Sequence, residues 1–250
     1  MQLNRPYVLS IAGFDPTAGA GVLADIKCFE QHRVYGFGVC SALTVQTDAD
    51  FISCQWMDAN AILAQLDPLF AKFNIAACKI GLIKDSAVLL EVMEFIKYKD
   101  QRVNIILDPV LKASSGFEFH EWDIGQLIPV LDHLDLITPN YQEMLHMGDG
   151  LNASETAAAW SVHCPVLLKG GHNTSDPGTD FLFDVHQLTT FRSGTGTTHQ
   201  KHGSGCTLSA AITANLALGH DLVWSCRLAK SYTEHFLNSN QTLLGYHNYD

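Results

Sequence analysis

A chain of 250 residues with an ordinary globular composition buries a sizeable core, either as one large α/β domain or as two small ones. Its formal net charge of −11, with no Lys/Arg-rich run, argues against a nucleic-acid or anionic-membrane partner and favours a small molecule. Seven cysteines, with no CxxC pair and no zinc-like Cys/His spacing, predict reduced thiols; the absence of a signal-peptide h-region or of an apolar run near the ~18 residues that span a bilayer predicts a soluble cytoplasmic protein.

Tyr7-Val8-Leu9-Ser10-Ile11-Ala12-Gly13 is an apolar run ended by glycine, as a buried parallel strand is. A small-residue loop, Phe14 to Gly21, leads to helical spacing from Val22 to Arg33 with Asp25 near its start; a plain turn packing a helix on a sheet has the same appearance as a ligand-contacting one. Gly36 to Val45 reads as a strand ended by Gln46-Thr47-Asp48, and Phe51 to Cys54 as a brief edge strand. Asp58 to Phe73 is amphipathic, with Asp58 as N-cap and Pro68 as a kink or a break. Ile75 to Ile80 is a third buried strand, followed by a helix over Ser86 to Tyr98 capped by Asp85 or Ser86. Val103 to Leu107 is the clearest strand, and Asp108-Pro109 after it puts a carboxylate at the carboxyl edge, where open α/β sheets bind ligands. Leu134 to Ile137 and Val166 to Leu168 are further strands, ending in Thr138-Pro139-Asn140 and Lys169-Gly170-Gly171. Thr179 to Val185 and Leu188 to Arg192 form an antiparallel edge hairpin, and helices over Thr207 to Leu218 and Leu222 to Asn238 close the chain. These elements predict one three-layer αβα domain, 1–250, with a mostly parallel sheet.

The richest stretch is His202-Gly203-Ser204-Gly205-Cys206-Thr207, a glycine turn running into an Ala/Leu/Ile helix. Gly203 and Gly205 are expected to allow positive φ and close approach of a ligand, and the first helical turn offers unpaired N–H groups with the positive end of the dipole. Such a turn binds phosphate. Cys206 sits in that turn, where the dipole is expected to lower the thiol pKa. A base beside a phosphate cradle suggests phosphoryl transfer, while a buried inert thiol is the plainer reading of the same residue.

Taken in order, these motifs resemble the ribokinase-like superfamily, and within it the hydroxymethylpyrimidine/phosphomethylpyrimidine kinases of thiamine biosynthesis. The resemblance rests on the Ile11 to Gly21 loop with Ala24-Asp25-Ile26-Lys27, then Ala42 to Thr47, Lys79-Ile80-Gly81-Leu82, Leu107-Asp108-Pro109-Val110, Thr138 to Glu143, Leu168 to His172 and His202 to Thr207. It implies ATP-dependent phosphorylation of the hydroxymethyl group of 4-amino-5-hydroxymethyl-2-methylpyrimidine, and of its monophosphate as a further acceptor, by a homodimer using Mg²⁺. In that reading Cys206 is the base, and the N–H groups of Gly203, Ser204, Gly205 and Cys206 form the anion hole. Asp108 and Glu143 hold magnesium through water, while Lys169, Asn140 and Asp108 face the nucleotide phosphates. Gln46 reads the aminopyrimidine edge, and Gly13, Asp25, Leu82 and Val110 line the same pocket. Glu143 is also readable as an ordinary first-turn carboxylate, Lys169 as a solvated strand-end lysine and Gln46 as a loop residue bonding its own backbone.

Three departures from the family pattern bear on the acceptor: Phe14, Ala18, and the loop Leu111 to Gly116 after Asp108. A pyridoxine-type kinase of the same superfamily would share every phosphate-side feature. A non-catalytic α/β binding protein is the reading from a different class.

Overall fold

The computed structural model describes residues 5–112, 119, 124–148, 150–172, 176–185, 187–194, 196 and 198–248. The chain opens with β1 (Tyr7–Phe14), α1 (Gly21–Gln31), β2 (Tyr35–Gln46), β3 (Phe51–Trp56), α2 (Ala59–Lys72), β4 (Ile75–Ile80), α3 (Ser86–Lys99) and β5 (Asn104–Leu107). It continues through α4 (Ile124–Leu131), β6 (Leu136–Ile137), α5 (Tyr141–Met147), α6 (Ala153–Trp160), β7 (Val166–Leu168), β8 (Asp180–Asp184), β9 (Gln187–Phe191), α7 (Ser204–Ala217) and α8 (Leu222–Asn238).

The strands form a nine-stranded sheet in the order β3-β2-β1-β4-β5-β6-β7-β8-β9. All neighbours from β2 across to β7 are parallel, while β3 and the β8–β9 hairpin add antiparallel edges. Side-chain alternation along the strands builds two cores. Val8, Ala77, Ile106, Leu136 and Leu167 meet α1, α7 and α8 on one face. Leu9, Ile11, Cys78, Ile80, Ile105, Leu107, Ile137, Val166 and Leu168 meet α2, α3, α4, α5 and α6 on the other. Helices on both faces of a mostly parallel sheet make this the expected three-layer αβα arrangement.

Two caps are the expected ones: Asp58 accepts from Ala61 N at 2.8 Å and Asp85 from Val88 N at 2.9 Å. Pro68 does not break α2, which runs on to Lys72. Helices α4 and α6 lie outside the elements expected from the sequence, although Asn152 and Glu155 form a reciprocal capping box that is visible in the sequence as Asn-x-x-Glu. Residues 113–116 of the loop after Asp108 lie outside the described residues. Among the described residues no helix is long and apolar enough to cross a membrane.

What positions a site is the carboxyl edge of the sheet. The chain runs from β1 outward to β2, then returns past β1 to β4, so the direction of winding reverses between β1 and β4. Parallel ladder bonds continue beyond the strand ends, from Gly81 N to Ile11 O, Asp108 N to Ile80 O, Thr138 N to Leu107 O and Lys169 N to Pro139 O, at 2.8–2.9 Å. Gly81, Asp108, Thr138 and Lys169 are thereby fixed in a row, and α7 packs over the β1, β4 and β5 end of it.

Candidate active site

The N-terminus of α7 stands at this edge. Gly203 is its N-cap, with φ +75°, and a Cβ there would collide with the Gly19 carbonyl oxygen, so both conformation and space demand glycine. Gly205 does not share the positive φ that the sequence suggested: it is helical, in the first turn. Its missing side chain serves close packing instead, since a Cβ would lie 3.3 Å from Lys169 Nζ and 4.0 Å from Asp108 Oδ2. With no side-chain acceptor on the N-cap, the first-turn N–H groups of Ser204, Gly205 and Cys206 are left to an external partner.

Beneath this turn lies a buried charge cluster. Lys169, expected by one reading to be solvated, is buried, and its Nζ donates to Asp108 Oδ1 at 2.7 Å. Asp108 also accepts from Thr138 Oγ1 at 3.2 Å and Ser209 Oγ at 3.0 Å. Burial raises the proton affinity of Asp108, but the Lys169 and Lys79 ammonium groups and the Ser209 hydroxyl outweigh it and hold the carboxyl below the usual carboxylate range. Lys169 shows the converse balance, because burial disfavours its charge while Asp108 and Glu143 restore it.

Asn140 and Glu143 meet as a capping box at the start of α5. Asn140 Oδ1 accepts from Gln142 N and Glu143 N, both at 2.9 Å, and Glu143 Oε2 accepts from Asn140 N at 2.7 Å. The parallel bridge between Asn140 and Lys169 sets this cap beside the lysine. Burial pushes the Glu143 carboxyl up to about 7, with Lys169 opposing and Asp108 adding to the rise. A carboxyl so poorly compensated gains from a cation. No group of three or more His, Cys, Asp or Glu among the described residues forms a ready metal cage, yet Mg²⁺ does not need one, since it keeps several waters and takes substrate oxygens. The donor set therefore fits it.

Cys206, half-buried in the first turn of α7, departs from expectation in its ionisation. Burial pushes its thiol up rather than down, with Asp25 and Asp108 adding to the rise; Lys79 and the Gly21 amide favour the thiolate without reversing the balance. A helix start favours a thiolate, but desolvation and the two carboxylates outweigh it at this position.

The remaining candidate residues come from β1, β2, α1 and the turns after β4 and β5. A Cβ on Gly13 would fall 3.0 Å from Leu82 Cδ2, so that Leu82 would have to yield by a few tenths of an ångström, and 3.5 Å from Thr44 Cγ2, an ordinary contact. Gln46, half-buried at the end of β2, donates from Nε2 to Thr44 Oγ1 at 2.8 Å, and Thr44 Oγ1 donates to Phe14 O at 2.8 Å. Its partner is thus a neighbouring hydroxyl and not its own backbone. Val110 is half-buried, its N–H turned back on Asp108 O at 2.9 Å. Asp25 is sealed in the interior: Oδ1 accepts from Lys79 Nζ at 2.5 Å and Oδ2 from Ser10 Oγ at 2.6 Å. Lys79 is fully buried in β4 and Asp25 holds it protonated against desolvation.

Lys79, Ser209, Asp15 and His202 belong to these networks although none carries a role in the sequence motifs. A lysine inside the apolar run Ile75 to Ile80 is itself a signal, since a buried ammonium demands a partner. Asp15 and His202 carry no such mark, yet they join the two glycine loops, His202 Nε2 to Asp15 Oδ2 at 2.8 Å, with Thr17 N and Ala20 N donating to the same carboxylate at 2.9 Å.

Residues 15–249 match the model of the family described as phosphomethylpyrimidine kinase. A hydroxymethylpyrimidine/phosphomethylpyrimidine kinase of Rhizobium meliloti strain 1021 is 35% identical over 90% of this chain and 87% of its own length. Among solved structures, a phosphomethylpyrimidine kinase of Clostridium difficile 630 is similar at a TM-score of 0.77 with 27% identity, covering 92% of this chain and 98% of that one. An ADP complex of Bacillus subtilis pyridoxal kinase superposes at 0.78 with 26% identity, over 91% of this chain and 90% of that one.

Proposed function

The chain belongs to the phosphomethylpyrimidine kinase family, and from that premise we propose how its residues carry out ATP-dependent phosphorylation of the hydroxymethyl group of 4-amino-5-hydroxymethyl-2-methylpyrimidine. One observation carries the reading: the open first turn of α7, with Cys206 in it, packs directly on the buried Lys169–Asp108 pair. Donors fixed in advance at the place where charge develops are what phosphoryl transfer asks of a protein. The alcohol sits against Gly13, Leu82 and Val110, with its ring-nitrogen and amino edge on the Gln46 amide. Cys206, as thiolate, takes the hydroxyl proton; the freed oxygen forms a bond to the γ-phosphorus as the bond to the β-phosphate oxygen breaks, and ADP leaves. Lys79, held by Asp25, favours the thiolate from inside the fold. The N–H groups of Gly203 to Cys206 and the Lys169 ammonium stabilise the moving phosphoryl group. Asn140 faces the nucleotide from the bridge with Lys169. Asp108 and Glu143 would hold Mg²⁺ through water, and the ion would neutralise charge on the polyphosphate.

The monophosphate is the second acceptor in this proposal, in keeping with the double name carried by the Rhizobium relative. We take residues 1–250 as one kinase domain working in the cytosol, where the seven free thiols stay reduced. Pairing of two chains is supported by the exposed apolar side chains Leu43 and Val45 of β2 and Ile52 of β3, and light scattering at twice the chain mass tests it. The likeness to a pyridoxal kinase keeps a second acceptor class in view. The deciding experiment is a panel of alcohols and the aminopyrimidine monophosphate at matched Mg-ATP, scored by phosphorylated product. Pyridoxine turned over at least as well as the aminopyrimidine would overturn the preferred acceptor and leave the kinase reading standing.

A further inference from the structure

After α8 the chain does not leave the surface. Residues 239–248 fold into a compact turn pinned to the end of that helix: Tyr246 N donates to Ser239 Oγ at 2.9 Å, Asn240 Nδ2 to Leu244 O at 2.9 Å and Thr242 N to Asn240 Oδ1 at 2.8 Å. Gly245 lies so close to the Phe236 ring that a Cβ has no room. This turn reaches both active-site loops. Lys201, two residues before the N-cap of α7, is buried, and its Nζ donates to Asn240 O at 2.6 Å and Thr242 O at 2.8 Å. The next amide, His202 N, donates to Leu243 O at 2.9 Å. On the other loop, a Cβ on Gly19 would fall 2.7 Å from His202 Cδ2 and 2.8 Å from Leu244 Cδ2, so Gly19, His202 and Leu244 form one contact. Among the described residues no carboxylate pairs with Lys201, whose ammonium is held by two backbone carbonyls of one turn.

A buried ammonium that donates to two carbonyls of one turn draws that turn onto the residues before α7, adding charge-assisted bonds to the His202 N–Leu243 O bond already there. The glycine turn has few side-chain ties of its own: its N-cap, Gly203, supplies no side-chain bond, and His202 Nε2 with Asp15 Oδ2 holds it from the other loop. We propose that residues 239–248 are a strap that positions the anion-binding turn for phosphoryl transfer, with Lys201 as the positioning residue that clasps it. The proposal rests on the kinase reading above for its effect on rate. In this proposal Lys201 acts through the placement of His202, Gly203 and the first turn of α7, and not on the reacting groups.

The test compares the full-length wild type with Lys201→Met, which keeps the stem and removes both bonds, and Lys201→Arg, which keeps donors. Misplacing a catalytic constellation by about 1 Å costs on the order of a hundredfold in rate. Lys201→Met should lose about tenfold to a hundredfold in kcat per folded molecule while the KM for the alcohol stays within about threefold, and Lys201→Arg should regain much of the loss. Hydrogen exchange at the His202 amide, which reports the bond to Leu243 O, should quicken by at least about tenfold in Lys201→Met. A kcat within twofold of wild type, or unchanged exchange at His202, overturns the strap. Should Lys201→Met fail to fold, Lys201→Gln, which keeps one donor, is read on the same two criteria. A wild-type chain without kinase activity would count against the functional reading, and the exchange rate alone would then decide the strap.

Discussion

Gly205→Ala separates what holds the start of α7 together from what the start of α7 is for. The backbone at Gly205 is helical, so alanine is gained at no conformational cost and adds up to about 1 kcal/mol of helix propensity. The new methyl would lie 3.3 Å from Lys169 Nζ, a tight contact, but the ammonium ends a flexible four-carbon stem and has only to yield a few tenths of an ångström. Stability should therefore stay level or rise, by about 2–4 °C in Tm at most for a domain of this size. Activity should move the other way. The methyl fills the gap between the first-turn N–H groups and the Lys169–Asp108 pair, and loss of one preorganised anion donor is worth about 10²–10³ in rate. The assay pairs thermal unfolding with initial rates at saturating Mg-ATP. Gly203→Ala is the contrast, since its side chain would strike Gly19 O at a φ of +75° and should cost folding and activity together. Gly205→Ala with wild-type turnover would refute the cradle, because the methyl crowds the first-turn N–H groups and the Lys169 ammonium together.

Cys206→Ala should keep folding and ligand binding while losing about 10²–10⁴ in the chemical step, and Cys206→Asp should recover part of it; undiminished turnover in the alanine variant would send the search for the base elsewhere. Because burial holds the Cys206 thiol above its ordinary range, the wild-type rate should climb with pH on the alkaline side, and the climb should move to lower pH in Cys206→Asp. Glu143 titrates at about 7 in the fold against 4.5 for the free group, so the folded state keeps a proton that the unfolded chain has lost. Stability in magnesium-free buffer should consequently fall as pH rises from about 4.5 to 7, and Glu143→Gln should flatten that slope and raise the magnesium requirement more than the KM for the alcohol; an unaltered slope in urea unfolding argues against it. Gln46→Leu leaves a polar acceptor edge unpaired at about 1–3 kcal/mol, so aminopyrimidine use should weaken while basal ATP hydrolysis holds; equal loss of both would make Gln46 a support for its loop.

Local rules carry much of this protein. The apolar runs ending at Gly13, Gly81, Asp108, Thr138 and Lys169 mark strands and the functional edge, because burial on both faces and a polar stop at the carboxyl end leave a trace in consecutive residues. Caps at Asp58 and Asp85 and the glycine turn before Cys206 are legible for the same reason: each involves groups a few residues apart. The order of these motifs was enough to indicate the family. It is the pairings across the chain that the tertiary structure decided. Asp15 and His202 are 187 residues apart, Asp25 and Lys79 are 54, and Asp108 and Lys169 are 61; no periodicity links them. Lys201 reads as an ordinary surface lysine until the chain returns to it at Asn240. Cys206 shows the limit most plainly: its place at a helix start is local and was readable, whereas its ionisation is set by desolvation and by charges from α1, β4 and the turn after β5. Those fields fall off with distance in space, and distance in space is what a sequence does not record until it has folded.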